Sequence, residues 1–129
     1  MSELRRDPIT GRWSIIATER AARPHEFQHQ QKIGAAGGFC PFCEGNESTT
    51  PPEIMAYRDS DTQPDEPGWR LRVVPNKYPA LQVEGELVRR GTGVYDATEG
   101  VGAHEVFIES PEHIVSPTDL SLDAMRDLM

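Results

Sequence analysis

The sequence has almost none of the features that mark membrane and secreted proteins. No apolar run approaches the roughly 18 to 20 residues that a membrane-spanning helix needs, which excludes a transmembrane chain. The segment from Met1 to Pro8 has no apolar centre, so no secretory signal is visible. Two cysteines are too few for a disulfide framework. We therefore expect a protein of the reducing cytoplasm that has no membrane partner.

Positive charge is also scarce. The chain has 13 Lys and Arg residues against 21 Asp and Glu residues, a formal net charge of −8, and no cluster of basic residues. A broad electrostatic surface for nucleic acid is therefore not expected. An anionic ligand would have to be held by a few local cations and by backbone amides.

Large apolar side chains are few as well. Val, Ile, Leu and Phe make up about 20% of the 129 residues, near the composition at which charged chains stop folding. The 11 glycines and 11 prolines predict many turns and little long helix. The length fits one domain over 1–129. We expect a thin core, in a chain that is either rich in loops or part of a larger folded unit.

Short strands and turns are the main secondary structure that the sequence predicts. Asp7-Pro8-Ile9-Thr10-Gly11 favours a turn between two strands. Alternation at 69–74 indicates a strand with Arg72 on its polar side, and Ser121 is typical of a helix N-cap. The predicted strands are 3–6, 13–17, 69–74 and 104–108, and the predicted loops are 25–38, 91–102 and a mobile acidic connector at 48–68 with an ordered patch near 54–57.

The sharpest motif is Cys40-Pro41-Phe42-Cys43. A two-residue spacer lets both thiolates turn toward one ion, as in the knuckles of tetrahedral zinc sites. Redox dithiols share this spacing, but usually at a helix N-terminus in an alternating strand–helix pattern, which this sequence lacks. Two incidental buried cysteines are the remaining interpretation. Zinc would need two further ligands, and the chain has no second cysteine pair to supply them.

The four histidines are the remaining candidates for zinc ligands. His25 and His29 lie in a polar segment and are most simply solvated. His104 shares a predicted strand face with apolar residues, so we expect it to be partly buried and hydrogen-bonded. His113 follows a proline in a turn, and its position alone fits a surface residue and a zinc ligand equally well.

A second candidate site is the turn Asn76-Lys77-Tyr78, which follows a predicted strand and is bounded by prolines. Asn76 can donate and accept hydrogen bonds to a base or sugar, Lys77 supplies charge, and Tyr78 supplies a ring face and a hydroxyl. Arg20 and Arg23 could bind a phosphate in a bidentate manner. An ordinary exposed turn and solvated arginines are the simpler interpretations, and the spacing reveals no nucleophile–base pair.

Five segments together resemble the N-terminal part of the galactose-1-phosphate uridylyltransferase family, in the histidine-triad superfamily. They occur in the family's order across nearly the whole chain, and five motifs in order are much more specific than one. The segments are Asp7-Pro8-Ile9-Thr10-Gly11-Arg12-Trp13, Arg20-Ala21-Ala22-Arg23-Pro24, Cys40-Pro41-Phe42-Cys43-Glu44-Gly45-Asn46-Glu47, Arg72-Val73-Val74-Pro75-Asn76-Lys77-Tyr78-Pro79-Ala80-Leu81 and Gly102-Ala103-His104-Glu105-Val106, continuing through Glu109-Ser110-Pro111-Glu112-His113.

The resemblance implies an α+β fold, an antiparallel half-barrel of the histidine-triad-like transferase type that is incomplete in this chain and active as a homodimer. It implies a cytoplasmic enzyme of galactose metabolism (the Leloir pathway), UDP-glucose–hexose-1-phosphate uridylyltransferase, with UDP-glucose and galactose 1-phosphate as partners. In that family a histidine attacks the α-phosphorus of UDP-glucose and glucose 1-phosphate leaves. The uridylyl-histidine then transfers its uridylyl group to galactose 1-phosphate.

The resemblance also implies roles for single residues. Three positions match zinc ligands, three match the turn that contacts the uridine nucleotide, and two match arginines near the sugar phosphate. They are, in that order, Cys40, Cys43 and His113; Asn76, Lys77 and Tyr78; and Arg20 and Arg23. The family's His-Pro-His-Gly-Gln segment is absent. We therefore expect the nucleophilic histidine and the fourth zinc ligand beyond Met129, and an N-terminal fragment that is inactive by itself.

Three other functions stay open. A nucleotidyl transferase or phosphorylase of the same superfamily, such as one that acts on ADP-glucose, shares most of these motifs. A non-catalytic zinc-binding module would hold one zinc ion with four ligands inside the chain. A redox dithiol protein is the weakest of the three.

Overall fold

The protein has an α+β fold with two antiparallel sheets, as a computed structural model of the chain shows. The structure describes residues 2–22, 38–59 and 61–129. Within these ranges the strands are β1 (Glu3–Arg6), β2 (Trp13–Ile16), β3 (Met55–Arg58), β4 (Trp69–Pro75), β5 (Arg89–Thr92), β6 (Tyr95–Glu99) and β7 (Glu105–Ile108). The helices are α1 (Leu122–Leu128) and the 3-10 turns Thr18–Ala22, Glu47–Thr49 and Pro117–Asp119.

The chain divides into two compact units, and neither is continuous in sequence. The first unit combines residues of 1–25 and 78–104, and the second combines residues of 26–77 and 105–129. Each unit contains one of the two sheets. The predicted loop at 25–38 lies outside the described residues, apart from its last residue.

The first unit holds a four-stranded sheet with the order β2-β1-β6-β5. The predicted hairpin at its start is confirmed, since β1 and β2 pair antiparallel and Arg6 is opposite Trp13. Its turn is closed by Asp7, whose carboxylate accepts hydrogen bonds from the Ile9 N–H at 2.8 Å and the Thr10 hydroxyl at 2.7 Å. These hydrogen bonds lower the pKa of the Asp7 carboxyl.

The prediction of a loop over 91–102 is wrong. Residues 89–92 and 95–99 form the antiparallel hairpin β5–β6, and Thr92 is opposite Tyr95 across a two-residue turn. Gly93 has a φ of 61°, a conformation that glycine adopts without strain and that a tight hairpin turn requires. The glycines that suggested a loop therefore belong to a strand and to its turn.

The second unit holds a three-stranded sheet with the order β3-β4-β7. The predicted strands at 69–74 and 104–108 are confirmed as β4 and β7, and the ordered patch near 54–57 is β3. The core cluster consists of Trp69, Val74 and Ile108, with Ala56 and Val106 packed against it. Across the described chain the fully buried apolar residues are few, as the composition predicted.

The alternation along β4 predicted Arg72 on an exposed polar face, and this prediction is wrong. Arg72 is 1% exposed and donates to Glu53 Oε2 at 2.8 Å, to Thr50 Oγ1 at 2.8 Å and to Asp65 Oδ1 at 2.6 Å. Glu53 also receives both an ion pair and hydrogen bonds from Arg58. The prediction of a mobile connector over 48–68 is therefore wrong for these residues, because its carboxylates neutralise a buried arginine.

The short helix α1 begins where the sequence predicted. The Ser121 hydroxyl accepts a hydrogen bond from the Ala124 N–H at 3.1 Å, which is an N-cap. Leu122, Met125 and Met129 share one face by helical spacing; Leu122 and Met129 are 78% and 96% exposed, and Met125 is half-buried. An ion pair between Asp127 and Arg70 of β4, at 2.5 Å, also connects the helix to the sheet.

Candidate metal centre

The Cys40–Cys43 segment is a compact turn whose backbone bonds to itself. The Cys43 N–H donates to the Cys40 carbonyl at 3.4 Å, and the Asn46 N–H donates to the Cys43 carbonyl at 3.2 Å. The Asn46 side-chain amide donates to the Cys40 carbonyl at 2.8 Å. Gly45 follows with a φ of 93°, where a side chain would be strained. These contacts hold both thiols on the same side of the turn.

His113 lies against this turn although it is far away in the sequence. The Glu44 N–H donates to the Pro111 carbonyl at 2.9 Å, which joins the two segments. His113 Nδ1 is 3.5 Å from Cys43 Sγ. The ligand atoms of Cys40, Cys43 and His113 all lie within 4.8 Å of one another. The structure therefore brings together the three residues that were predicted to bind zinc.

The spacing of these atoms fits a metal ion. Zn–S and Zn–N bonds of about 2.3 and 2.0–2.1 Å at tetrahedral angles place sulfur and nitrogen about 3.5 Å apart. The Cys43–His113 distance has this value. Two thiolates and an imidazole suit zinc among the common protein metals. In tetrahedral coordination the three residues would leave one position for a ligand outside this cluster, so they form a candidate metal site whose ion is not identified.

The two thiols differ in acidity. Burial raises the pKa of Cys40, but hydrogen bonds from the Phe42 backbone N–H, His113 and Cys43 outweigh it and lower the pKa overall. Burial and the neighbouring Cys40 both raise the pKa of Cys43. The pKa values of the two adjacent thiols shift in opposite directions because one thiolate disfavours a second beside it. A bound cation would favour the thiolate form of both residues.

The metal cluster is attached to the core by two carboxylates that the sequence analysis did not single out. Glu47 is 6% exposed and accepts hydrogen bonds from the Gly45 N–H at 3.0 and 3.1 Å and from Trp69 Nε1 at 2.8 Å. Glu44 accepts from the Gly68 N–H at 2.7 Å. Burial raises the pKa of Glu47, but these donors and nearby Arg72 lower it overall.

The predicted substrate-binding residues occupy both units. Arg20 lies in the 3-10 turn Thr18–Ala22 and is half-buried, and Arg23 lies outside the described residues. Asn76 and Lys77 follow β4 in the second unit, and Tyr78 begins the next segment of the first. A common binding site for them stays a prediction.

The other histidines are separate from the metal cluster where they can be described. His104 is half-buried, and its Nδ1 accepts a hydrogen bond from the Ala80 N–H at 2.8 Å. This confirms the expected partly buried, hydrogen-bonded histidine. His25 and His29 lie outside the described residues.

No helix among the described residues combines the length and apolar character needed to cross a membrane.

The described residues form an α+β protein with two antiparallel sheets and, in the second unit, a cluster of Cys40, Cys43 and His113 that could hold a metal ion. The chain shares its fold with a solved uridylyltransferase, at a TM-score of 0.58 and 24% identity over 98% of this chain and 31% of that one. It is also 37% identical to an ADP-glucose phosphorylase of Arabidopsis thaliana over 131 residues. This alignment covers 98% of the chain and 36% of that protein. The chain thus spans about a third of that relative.

The crystal structure of an ADP-glucose phosphorylase from Arabidopsis thaliana with bound ADP-glucose is also similar. Its TM-score is 0.49 and its identity is 34%, over 99% of this chain and 34% of that one. No family model matches the chain. The chain is thus similar in sequence to an ADP-glucose phosphorylase and similar in fold to a uridylyltransferase, and these two likenesses do not distinguish one activity from the other.

Proposed function

We propose that these residues form part of a nucleotidyl transferase or phosphorylase that acts on a nucleotide-activated hexose, with phosphorolysis of ADP-glucose as the first candidate. The observation that carries this proposal is 37% identity, along 98% of the chain, to a protein named ADP-glucose phosphorylase. Since the chain covers about a third of that protein, the proposal concerns the whole enzyme to which these residues contribute.

In this proposal the chain binds and orients its substrate but does not supply the nucleophile. A histidine attacks the α-phosphorus of ADP-glucose, the bond to the glucose 1-phosphate oxygen breaks, and glucose 1-phosphate leaves. Inorganic phosphate then attacks the adenylyl-histidine and gives ADP. The chain contains no His-Pro-His sequence, so the attacking histidine would come from outside these 129 residues.

Specific residues of the chain have proposed roles in this reaction. Asn76, Lys77 and Tyr78 would contact the nucleotide, and Arg20 and Arg23 would neutralise the phosphate groups. Cys40, Cys43 and His113 would hold a zinc ion that fixes the turn and the His113 segment together, a structural role for a metal with three protein ligands here and a fourth from elsewhere.

The second candidate is uridylyl transfer between UDP-glucose and galactose 1-phosphate. The five ordered segments that resemble galactose-1-phosphate uridylyltransferase favour it, and the fold shared with a solved uridylyltransferase is compatible with it. Both candidates require the same covalent step and differ in the base and in the acceptor.

We also propose that the whole enzyme is a cytoplasmic homodimer, and light scattering after size-exclusion chromatography would test the dimer.

The test compares two pairs of substrates with the full-length protein that contains these residues. Phosphate-dependent formation of ADP from ADP-glucose would support the first candidate, and UDP-galactose formed from UDP-glucose and galactose 1-phosphate would support the second. Anion-exchange chromatography separates all of these nucleotides. If neither product formed but the chain held one chelator-resistant zinc per molecule, both enzymatic proposals would fail in favour of a zinc-binding module.

A matched pair of variants tests the proposed nucleotide turn. Asn76→Ala should raise the KM for the nucleotide sugar by about 2- to 10-fold, since a hydrogen bond contributes roughly 0.5–1.5 kcal/mol. Gln63→Ala removes a similar amide from an exposed position of the same unit and should leave KM unchanged. Equal KM values for both variants and the parent would remove Asn76 from the binding site.

A further inference from the structure

Glu47 is a buried acid that neither the metal cluster nor the proposed reaction explains. It is 6% exposed, it lies four residues after Cys43, and its carboxylate is not among the three clustered ligands. A carboxylate withdrawn from water costs free energy unless donors surround it. The Glu47 carboxylate is surrounded by hydrogen-bond donors, and these donors link it to two parts of the second unit.

Two hydrogen-bond donors contact the Glu47 carboxylate. The N–H of Gly45, two residues after Cys43, donates to both carboxylate oxygens of Glu47 at 3.1 and 3.0 Å. Trp69 Nε1 donates to Oε1 at 2.8 Å. Trp69 is the first residue of β4 and belongs to the core cluster. Glu47 therefore connects the turn that carries the two thiols to the buried core cluster of the unit.

This connection has a geometric consequence for the metal ligands. The segment that carries His113 reaches the same turn through the hydrogen bond from Glu44 N–H to the Pro111 carbonyl. The position of the thiols relative to the imidazole then depends on how firmly the turn is held. Hydrogen-bonded groups around metal ligands commonly change metal affinity by about 10–100-fold when they are removed.

We propose that Glu47 is a positioning residue for the metal site. It binds no metal itself. By accepting from Gly45 and Trp69 it fixes the turn of Cys40 and Cys43 on β4, so that both thiols face His113 before an ion binds. The site is thereby preorganised, and the free energy of ordering the turn is contributed by folding rather than by metal binding.

The chain provides a matched control for this role. Glu53 is also a buried acid of the second unit, with a side chain 5% exposed. Its partners are Arg58 and Arg72, whereas Glu47 bonds to the turn that carries Cys40 and Cys43. Removing either acid should destabilise the fold. Only removal of Glu47 should change the metal site, if the proposed role is correct.

The experiment measures Co²⁺ and Zn²⁺ binding to the 129-residue chain by competition with a chromophoric chelator, at a temperature where circular dichroism shows each variant folded. Glu47→Ala should weaken binding of both ions by about 10–100-fold and should change the thiolate-to-Co²⁺ charge-transfer band. Glu47→Gln should recover much of the affinity, since its amide oxygen can accept from both donors. Glu53→Ala should stay within about threefold of the parent.

Trp69→Phe supplies a second test that does not remove a charge. It keeps an aromatic ring in the core but deletes the donor to Glu47, so metal affinity should fall severalfold and the fall should not add to that of Glu47→Ala. Parent-like affinity in Glu47→Ala would overturn the proposal. So would an equal loss of affinity in Glu53→Ala, because the loss would then follow stability. If Glu47→Ala did not fold, parent-like affinity in Trp69→Phe would overturn it instead.

Discussion

Replacing Arg72 by methionine tests how much the buried ion pairs contribute to the stability of the second unit. Methionine keeps most of the apolar stem in the core but removes the guanidinium and its bonds to Glu53, Thr50 and Asp65. Glu53 is then left as a buried carboxylate with Arg58 as its remaining cationic partner, 2.7 Å away. An unbalanced buried charge is the costly part of this change.

The magnitude follows from these contacts. Breaking a buried ion pair by removal of one partner costs about 3–5 kcal/mol. Arg58 still compensates Glu53, and the Asp65 side chain is 39% exposed and can be solvated after the change. Both effects place the expected loss at the lower end, about 3 kcal/mol of unfolding free energy.

The assay is urea unfolding followed by tryptophan fluorescence in a Trp13→Phe background. Trp69, 3% exposed and in the same unit as Arg72, is then the sole fluorescent tryptophan. The control is Arg70→Met, on the same strand. Its guanidinium is half-exposed and pairs with Asp59 and Asp127, so the urea midpoint should change little. Equal midpoints for the two methionine variants would refute the assignment of stability to the buried network.

Three further predictions concern acidity, metal and capping. The free energy of unfolding should fall as pH drops below 4.5, because burial raises the pKa of Glu53 but Arg58 and Arg72 outweigh it and lower the pKa overall. The stability that Glu53 contributes is present above its unfolded pKa and is lost as pH falls through its folded pKa. Urea midpoints from pH 7 to 3 measure this loss, and a flat profile would contradict it. His113→Ala should lose chelator-resistant zinc while His104→Ala retains it, measured by elemental analysis after dialysis. Ser121→Ala should destabilise α1 by about 1 kcal/mol, seen as reduced helicity by circular dichroism, and an unchanged spectrum would deny the cap a role.

Local patterns in the sequence predicted the elements whose signals are local. The turn after β1, the strand β4 and the N-cap at Ser121 each depend on a few adjacent side chains, and all three elements are confirmed, although Arg72 does not follow the alternation of β4. The strand β5 was missed because Arg89, Arg90 and Gly91 show no apolar alternation. It is a strand because β6 pairs with it, and pairing of this kind leaves little trace in a single segment.

The site shows the same division between local and distant information. The two-residue spacer identified Cys40 and Cys43, whereas His113 was ambiguous by its position and was selected only through the family resemblance. Arg72 looked like a surface residue because its acidic partners, Glu53 and Asp65, stand in a segment that reads as a solvated connector. Buried charge is not visible in the alternation of a strand until its partners are known.

The pairing of β1 with β6 has a consequence for how the protein is made. Glu99, the strand partner of Glu3, leaves the ribosome roughly 5 to 20 s after it at a synthesis rate of about 5–20 residues per second. During this interval the β1–β2 hairpin stands alone, and an isolated hairpin is marginally stable. The nascent chain therefore presents an open strand edge until β6 has been synthesised, and slower translation would lengthen the exposure of that edge to chaperones and to other chains.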